Sequence, residues 1–139
     1  MPDFDELHWA ASRGDLETVK RLLVNQVNLN GFDEIGYTAL HYAVKGEHIE
    51  VAKYLLDSGA EVNAHDESQI GDTPLASVAQ TCSLAMAQLL IAHRADPTIP
   101  GWMQLTALHK SRERKRGDGP AVHQLLIERA KQLGYVVTD

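Results

Sequence analysis

The sequence predicts an all-α solenoid of stacked helix-turn-helix units, and two spacings carry that prediction. Leu7, Leu40, Leu75 and Leu108 are separated by 33, 35 and 33 residues. The aliphatic pairs Leu22-Leu23, Leu55-Leu56, Leu90-Ile91 and Leu126-Ile127 are separated by 33, 35 and 36. A near-constant period of this size marks an architecture in which each unit buries its apolar face on its neighbour. Four units exceed the minimum of about three that such a stack needs.

Residues 33–64 display one unit whole: DEIGYTALHYAVKGEHIEVAKYLLDSGAEVNA. Gly36 follows a polar turn, and Leu40, Ala43 and Val44 recur at helical spacing. Lys45-Gly46-Glu47-His48 breaks the pattern, and Ile49, Val51, Ala52, Leu55 and Leu56 form a second apolar stripe. Gly59 can take φ > 0 and end that helix. Thr38-Ala39-Leu40-His41, Thr73-Pro74-Leu75-Ala76 and Thr106-Ala107-Leu108-His109 resemble the TPLH segment of ankyrin repeats, and Gly59–Ala64 resembles their GADVNA end. The resemblance covers the chain from about Phe4 to about Lys131. It implies an ankyrin-repeat solenoid with turn or hairpin-like connections and a binding role without chemistry of its own.

The units follow in order over a single domain, 1–139. Repeat 1 (residues 2–32) lacks a turn before its first helix and reads as the N-terminal cap. Asp3 or Asp5 would cap that helix. Leu7, Ala10 and Ala11 face inward, as do Leu16, Val19, Leu22 and Leu23, while Gln26 stands where repeat 2 (33–63) has Gly59. Repeat 3 (64–99) has a turn two residues longer, no glycine between its helices, and Arg94 at the helix-ending position. Pro97 and Pro100 are expected to hold Thr98-Ile99 extended. Repeat 4 (100–133) carries Trp102, Met103 and Leu105 in its turn. Its basic run Lys110–Arg116 precedes a last helix from about Pro120, with Val122, Leu125, Leu126 and Ala130 inward. Residues 134–139 form a tail.

Composition bounds the function. Hydrophobic residues make up 44% and charged residues 23%, as in an ordinary soluble domain. No apolar run approaches the ~20 residues that span a bilayer, and no basic-then-apolar leader is visible. Cys82 is the only cysteine, which fits a reducing, cytoplasmic setting. Residues 1–109 hold 15 acidic and 6 basic side chains, a net of −9, whereas residues 110–139 hold 4 and 7, a net of +3. The acidic body disfavours nucleic acid and anionic membrane.

Candidate chemistry is sparse. His8, His41 and His109 share one repeat position. Successive units lie about 10 Å apart, too far for one metal whose bonds are about 2 Å. They read as ties between a helix start and the adjacent turn, which the resemblance also implies. Glu47-His48, His65-Asp66 and His93 lack a placed nucleophile and read as solvated turn residues. Cys82 has no basic neighbour in sequence to lower its pKa. No catalytic residue, metal or cofactor is expected. Lys110–Arg116 reads as a solvated helix face, a patch for an acidic protein, or a phosphate-binding patch. Trp9 and Tyr42 read as exposed, because the inward set of each first helix is complete without them.

The expected function is a protein-binding module, an adaptor or scaffold, monomeric by itself. Its concave face and turn tips would carry the site, with Trp9, Arg13, Ile35, Tyr37, Tyr42, Lys45, Ile70, Trp102, Met103, Lys110 and Arg114 as candidate contacts. The alternative is a dedicated inhibitor or antitoxin-type protein that occludes a basic partner such as a nuclease toxin. Copurification at one-to-one stoichiometry would favour the inhibitor, salt-sensitive binding a nucleic-acid ligand, and retained metal or cofactor an enzyme.

Overall fold

The computed structural model describes residues 3–137, with side chains from Glu6 to Val137. Among the described residues eight α-helices follow in pairs: α1 (Asp3–Arg13), α2 (Leu16–Val24), α3 (Ala39–Lys45), α4 (Ile49–Asp57), α5 (Pro74–Val78), α6 (Leu84–Ala92), α7 (Ala107–Arg112) and α8 (Gly119–Gln132). A short 3-10 turn, Trp102–Gln104, precedes α7. The odd helices pack in sequence as one layer and the even helices as a second. The fold is therefore a helical ankyrin-repeat solenoid, and its connections are turns, with no strand among the described residues.

The core lies between the layers. Leu7, Leu40 and Leu75 from the first layer meet Val19, Leu22, Val51, Leu55, Met86, Leu90 and Leu126 from the second, all buried. Helix starts follow local chemistry. The Thr38, Thr73 and Thr106 side chains accept from the amides three residues on. Asp15 and Ser83 do the same for α2 and α6. The capping side chains expected at Asp3 or Asp5 lie outside the described side chains, and Thr138 and Asp139 of the tail lie outside the described residues.

Helix ends repeat a left-handed residue. Gln26 (φ 62), Gly59 (φ 107), Arg94 (φ 72) and Gly134 (φ 94) occupy it. The next amide then reaches back to the helix carbonyls, as Ala60 N–H does to Leu55 O at 2.9 Å and Ala95 N–H to Leu90 O at 3.0 Å. Asparagines clamp successive units at these corners. Asn30 Oδ1 accepts from Glu61 N–H at 2.8 Å, and Asn63 Oδ1 accepts from Asp96 N–H at 2.8 Å.

Three local expectations need correction. Thr98 is not extended: Pro97-Thr98 forms a turn, because Asp96 Oδ1 accepts from Thr98 N–H at 2.8 Å. Glu47 and His48 are not merely solvated. The half-buried His48 ring packs against Gly14 and Gly46, where any Cβ would approach within 2.5 Å. Its Nε2–H donates to Ser12 O at 3.0 Å. Glu47, at φ 58, accepts from Ser83 N–H and Oγ–H at 3.0 and 2.7 Å, so its carboxylate ties repeat 2 to the start of α6. His93 Nε2 likewise meets Asp57 at 3.2 Å across the second layer.

Leu55 is fully buried with units on both sides. Leu55→Ala is expected to cost about 2–5 kcal/mol, a large share of the about 5–15 kcal/mol that holds such a domain. Thermal denaturation checks this, and an unchanged melt would refute the packing register. Arg94 is exposed in a conformation that costs an L-residue about 1 kcal/mol. Arg94→Gly should therefore leave the melting temperature unchanged or raise it. A clear drop would mean that the Arg94 side chain holds the corner.

Candidate interaction surface

The first-helix layer and its turns carry the candidate residues, and the structure divides them into two groups. Trp9, Ile35, Trp102 and Met103 are exposed, at 63%, 44%, 57% and 73%. Trp9 carries the Arg13 guanidinium over its ring at 5.8 Å. Ile70, Trp102 and Met103 share a cleft of about 420 Å³ between the turns 67–71 and 100–104. Met103 and Gln104 both adopt left-handed backbone, φ 57 and φ 62, which presents the Met103 side chain outward.

Tyr37, Tyr42, Lys110 and Arg114 belong to the other group, and their expected exposure is corrected. Tyr37 is only 8% exposed. Its ring stacks on His41, with centroids 4.8 Å apart and planes 5° from parallel, and Lys45 Nζ lies 5.4 Å from its centroid. Tyr42 is half-buried, edge-on to His8 and to Tyr37 at 5.6 Å each. Its hydroxyl donates to Asp33 Oδ2. Burial and the Asp33 carboxylate both push the Tyr42 phenol upward. Burial opposes ionisation of Asp33, yet the Tyr42 hydroxyl and the Tyr37 and Ile35 amides together hold its carboxyl below the usual range.

Lys110 points inward. Its ammonium donates to Asp72 Oδ2 and to Ala76 O, both at 3.0 Å. Asp72 is buried, and its other oxygen accepts from Trp102 N–H at 2.9 Å. A Cβ on Gly101 would come within 2.1 Å of that oxygen, so only glycine fits beside it. Arg114 donates to Cys82 O at 2.9 Å. The run Lys110–Arg116 is thus no continuous helix face. α7 stops at Arg112, Lys110 and Arg114 fold back on repeat 3, and Arg112, Lys115 and Arg116 are exposed. Sequence reading missed Gly101 and the burial of Asp72 against Lys110. The visible signal was an acidic residue where repeat 2 has Tyr37, with a lysine later at the position of Tyr42.

The three register-related histidines act as structural ties. His8 Nε2–H donates to Tyr37 O at 2.9 Å and His41 Nε2–H to Asp72 O at 2.7 Å. The Thr38 and Thr106 amides donate to Nδ1 of His41 and His109 at 2.9 and 3.0 Å. Burial lowers the His41 pKa to about 4. Burial also raises the Cys82 thiol, although Arg114 works against it. Among the described residues no group of three or more His, Cys, Asp and Glu could hold a metal ion. Among the described residues no helix is long and apolar enough to cross a membrane.

The family model for ankyrin repeats, in three copies, matches residues 5–66. Similar proteins include the palmitoyltransferase akr1 of Schizosaccharomyces pombe, 48% identical over 59 residues, 42% of this chain and 9% of that protein. Ankyrin repeat domain-containing protein 39 of Homo sapiens is 43% identical over 63 residues, 45% of this chain and 34% of that protein. Inversin of Homo sapiens is 36% identical over 110 residues, 75% of this chain and 10% of that protein. The matched stretches thus span between 9% and 34% of these relatives.

The pH dependence of stability follows from His41. Its pKa is about 4 in the fold and about 6.5 in the unfolded chain. Between those values the unfolded chain binds the proton more readily, so stability rises with pH. Stability should be level above pH 7 and fall by about 3 kcal/mol on acidification to pH 4. Denaturant titrations across that range check it. His41→Gln should lower stability at pH 7 and flatten the slope; a slope that persists in the variant would assign it to another group.

Proposed function

With ankyrin repeats in its sequence and their helical stack as its fold, this is an ankyrin-repeat protein, and we propose that it binds a protein partner on the first-helix face and turn tips without catalysis. Such repeats generally serve protein–protein interaction, and their stacked units form extended binding surfaces. The observation that carries the reading is the exposure of Trp9, Ile35, Trp102 and Met103 on this side of the stack, with Arg13 and Lys45 beside them. Large aromatic side chains with few rotatable bonds dominate many interfaces. Tyr37, Tyr42, Lys110 and Arg114 support that surface from beneath. The single-domain organisation over residues 1–139 belongs to the same proposal. An adaptor and a dedicated inhibitor would share this surface, and they differ in affinity and stoichiometry.

The test is capture of a partner by the immobilised chain, its identification, and titration of the purified partner. Trp9→Ala and Trp102→Ala should each leave the melting temperature nearly unchanged, within about 0.5 kcal/mol. At least one should weaken binding about thirtyfold, the loss of one hot spot. Tyr42→Ala should instead lower the melting temperature, because it strips Asp33 of a partner. Full binding by both tryptophan variants would move the site off this face.

A further inference from the structure

The cleft between the turns of repeats 3 and 4 offers acceptors and an aromatic ring, but no cation. It measures about 420 Å³, and its side chains come from Glu67, Gln69, Ile70, Trp102, Met103 and Gln104. Both walls are turns inside the stack, so the cleft is independent of either end of the chain. Several main-chain donors around it are already bonded. Gln69 N–H reaches Asp66 O at 2.9 Å, Gly101 N–H reaches Leu105 O at 3.0 Å, and Gln104 N–H reaches Gly101 O at 2.9 Å. Trp102 N–H bonds to the buried Asp72 at 2.9 Å, and Pro100 has no N–H. A ligand therefore meets a carboxylate, two carboxamides and an indole.

The Glu67 carboxylate is open to an outside donor. Its side chain is 86% exposed, with His65 Nε2 at 3.4 Å. His65 Nδ1–H donates to Asn63 O at 2.8 Å, so the neutral ring turns a lone pair toward Glu67 and gives it no hydrogen. The surroundings carry the same sign. The turns 31–37, 65–72 and 100–105 contain no Lys or Arg. A Cβ on Gly36 would lie 2.8 Å from Gln69 Cβ, so the exposed Glu34 of the neighbouring turn belongs to the same ridge. Lys110, the cation behind the cleft, is bonded inward to Asp72. Residues 1–109 carry 15 acidic and 6 basic side chains, a net of −9. A basic partner complements this ridge.

We infer that this cleft takes an arginine side chain of the protein partner, its guanidinium stacked on Trp102 and forked onto the Glu67 carboxylate. Apolar neighbours of that arginine lie against Ile70 and Met103. A guanidinium suits this combination better than an ammonium. It is planar and weakly hydrated, it stacks on aromatic rings, and its fork of donors matches a carboxylate with a carboxamide oxygen beside it. This inference rests on the reading of the turn tips as a protein-binding surface and names the chemistry recognised there.

The probe is the capped peptide acetyl-Gly-Leu-Arg-Leu-Gly-amide, titrated into the isotopically labelled full chain and followed by NMR. The expected result is saturable shifts at the Trp102 indole N–H, the Met103 methyl and the Gln104 carboxamide. A citrulline peptide keeps the shape without the charge and should bind about tenfold more weakly; Glu67→Gln should cause a similar loss with the arginine peptide. The lysine peptide should also bind more weakly than the arginine peptide. Glu67→Gln alters an exposed side chain and should leave the melting temperature unchanged. Absence of saturable shifts at millimolar peptide, shifts centred outside the cleft, equal binding of the citrulline or lysine peptide, or undiminished binding by Glu67→Gln would each overturn the assignment. Failure of the surface itself is read separately, with the captured partner. A partner weakened by Trp102→Ala but not displaced by the arginine peptide would sink the arginine site and leave the surface standing. Full partner binding by both tryptophan variants would remove the surface, and the arginine assignment with it, even where the peptide binds.

Discussion

The first two joints of this stack are imidazole bonds, in which His8 and His41 each donate Nε2–H to a carbonyl of the next unit's turn. His41 accepts from the Thr38 amide on one ring nitrogen and donates to Asp72 O with the other. Both bonds require the neutral tautomer with the proton on Nε2. The first bond fixes the start of α3, and the second fixes how the turn of repeat 3 lies across it. The apolar layer behind is non-directional and would tolerate small slips. The imidazole bond sets the register, and every later contact on the first-helix face inherits its position.

Repeat 3 breaks this device and replaces it. Ala76 stands where the other units have histidine, so no imidazole reaches the turn of repeat 4. Lys110 comes from the opposite side instead, and its ammonium bonds to Ala76 O and Asp72. Removal of one partner from a buried pair leaves an uncompensated charge, so this joint is as specific as the imidazole joints. It also reaches the surface. The Asp72 oxygen that Lys110 does not use accepts from the Trp102 amide, and Gly101 lets the backbone approach. An interior ion pair thereby positions the most prominent turn tip.

The stack was legible because it depends on spacing. Leucine periods, threonine caps and the left-handed positions at Gln26, Gly59 and Arg94 are local signals that one chain displays. The surface was legible only in part. Counting inward residues at helical spacing left Tyr42 as a spare aromatic, and Tyr37 stood at a turn tip, but such a reading treats each helix and turn alone. Tyr37 is buried by an imidazole of its own unit and a lysine above it, and Tyr42 is held by a carboxylate nine residues earlier. Lys110 and Arg114 looked like members of a basic run. Their partners, 34 residues or more away at Asp72 and Ala76 for Lys110, lie one repeat back, and sequence adjacency does not reveal such pairs. Glu47 has the same history: its target, Ser83, is 36 residues on.

Once those internal uses are removed, the turn 102–104 stands out for a reason independent of exposure. Met103 and Gln104 are consecutive non-glycine residues at positive φ, a conformation that costs about 1–3 kcal/mol per residue unless the surroundings impose it. Gln26, Glu47 and Arg94 pay no comparable double penalty, and each ends or joins a helix. The strain at Met103 ends no helix. It closes the tight turn in which Gln104 N–H bonds to Gly101 O and Leu105 N–H to Trp102 O. The result is to hold Trp102 and Met103 against solvent beside Ile70. Apolar side chains kept exposed at a conformational cost are poorly explained by stability alone. A surface that recognises another protein accounts for both the cost and the exposure.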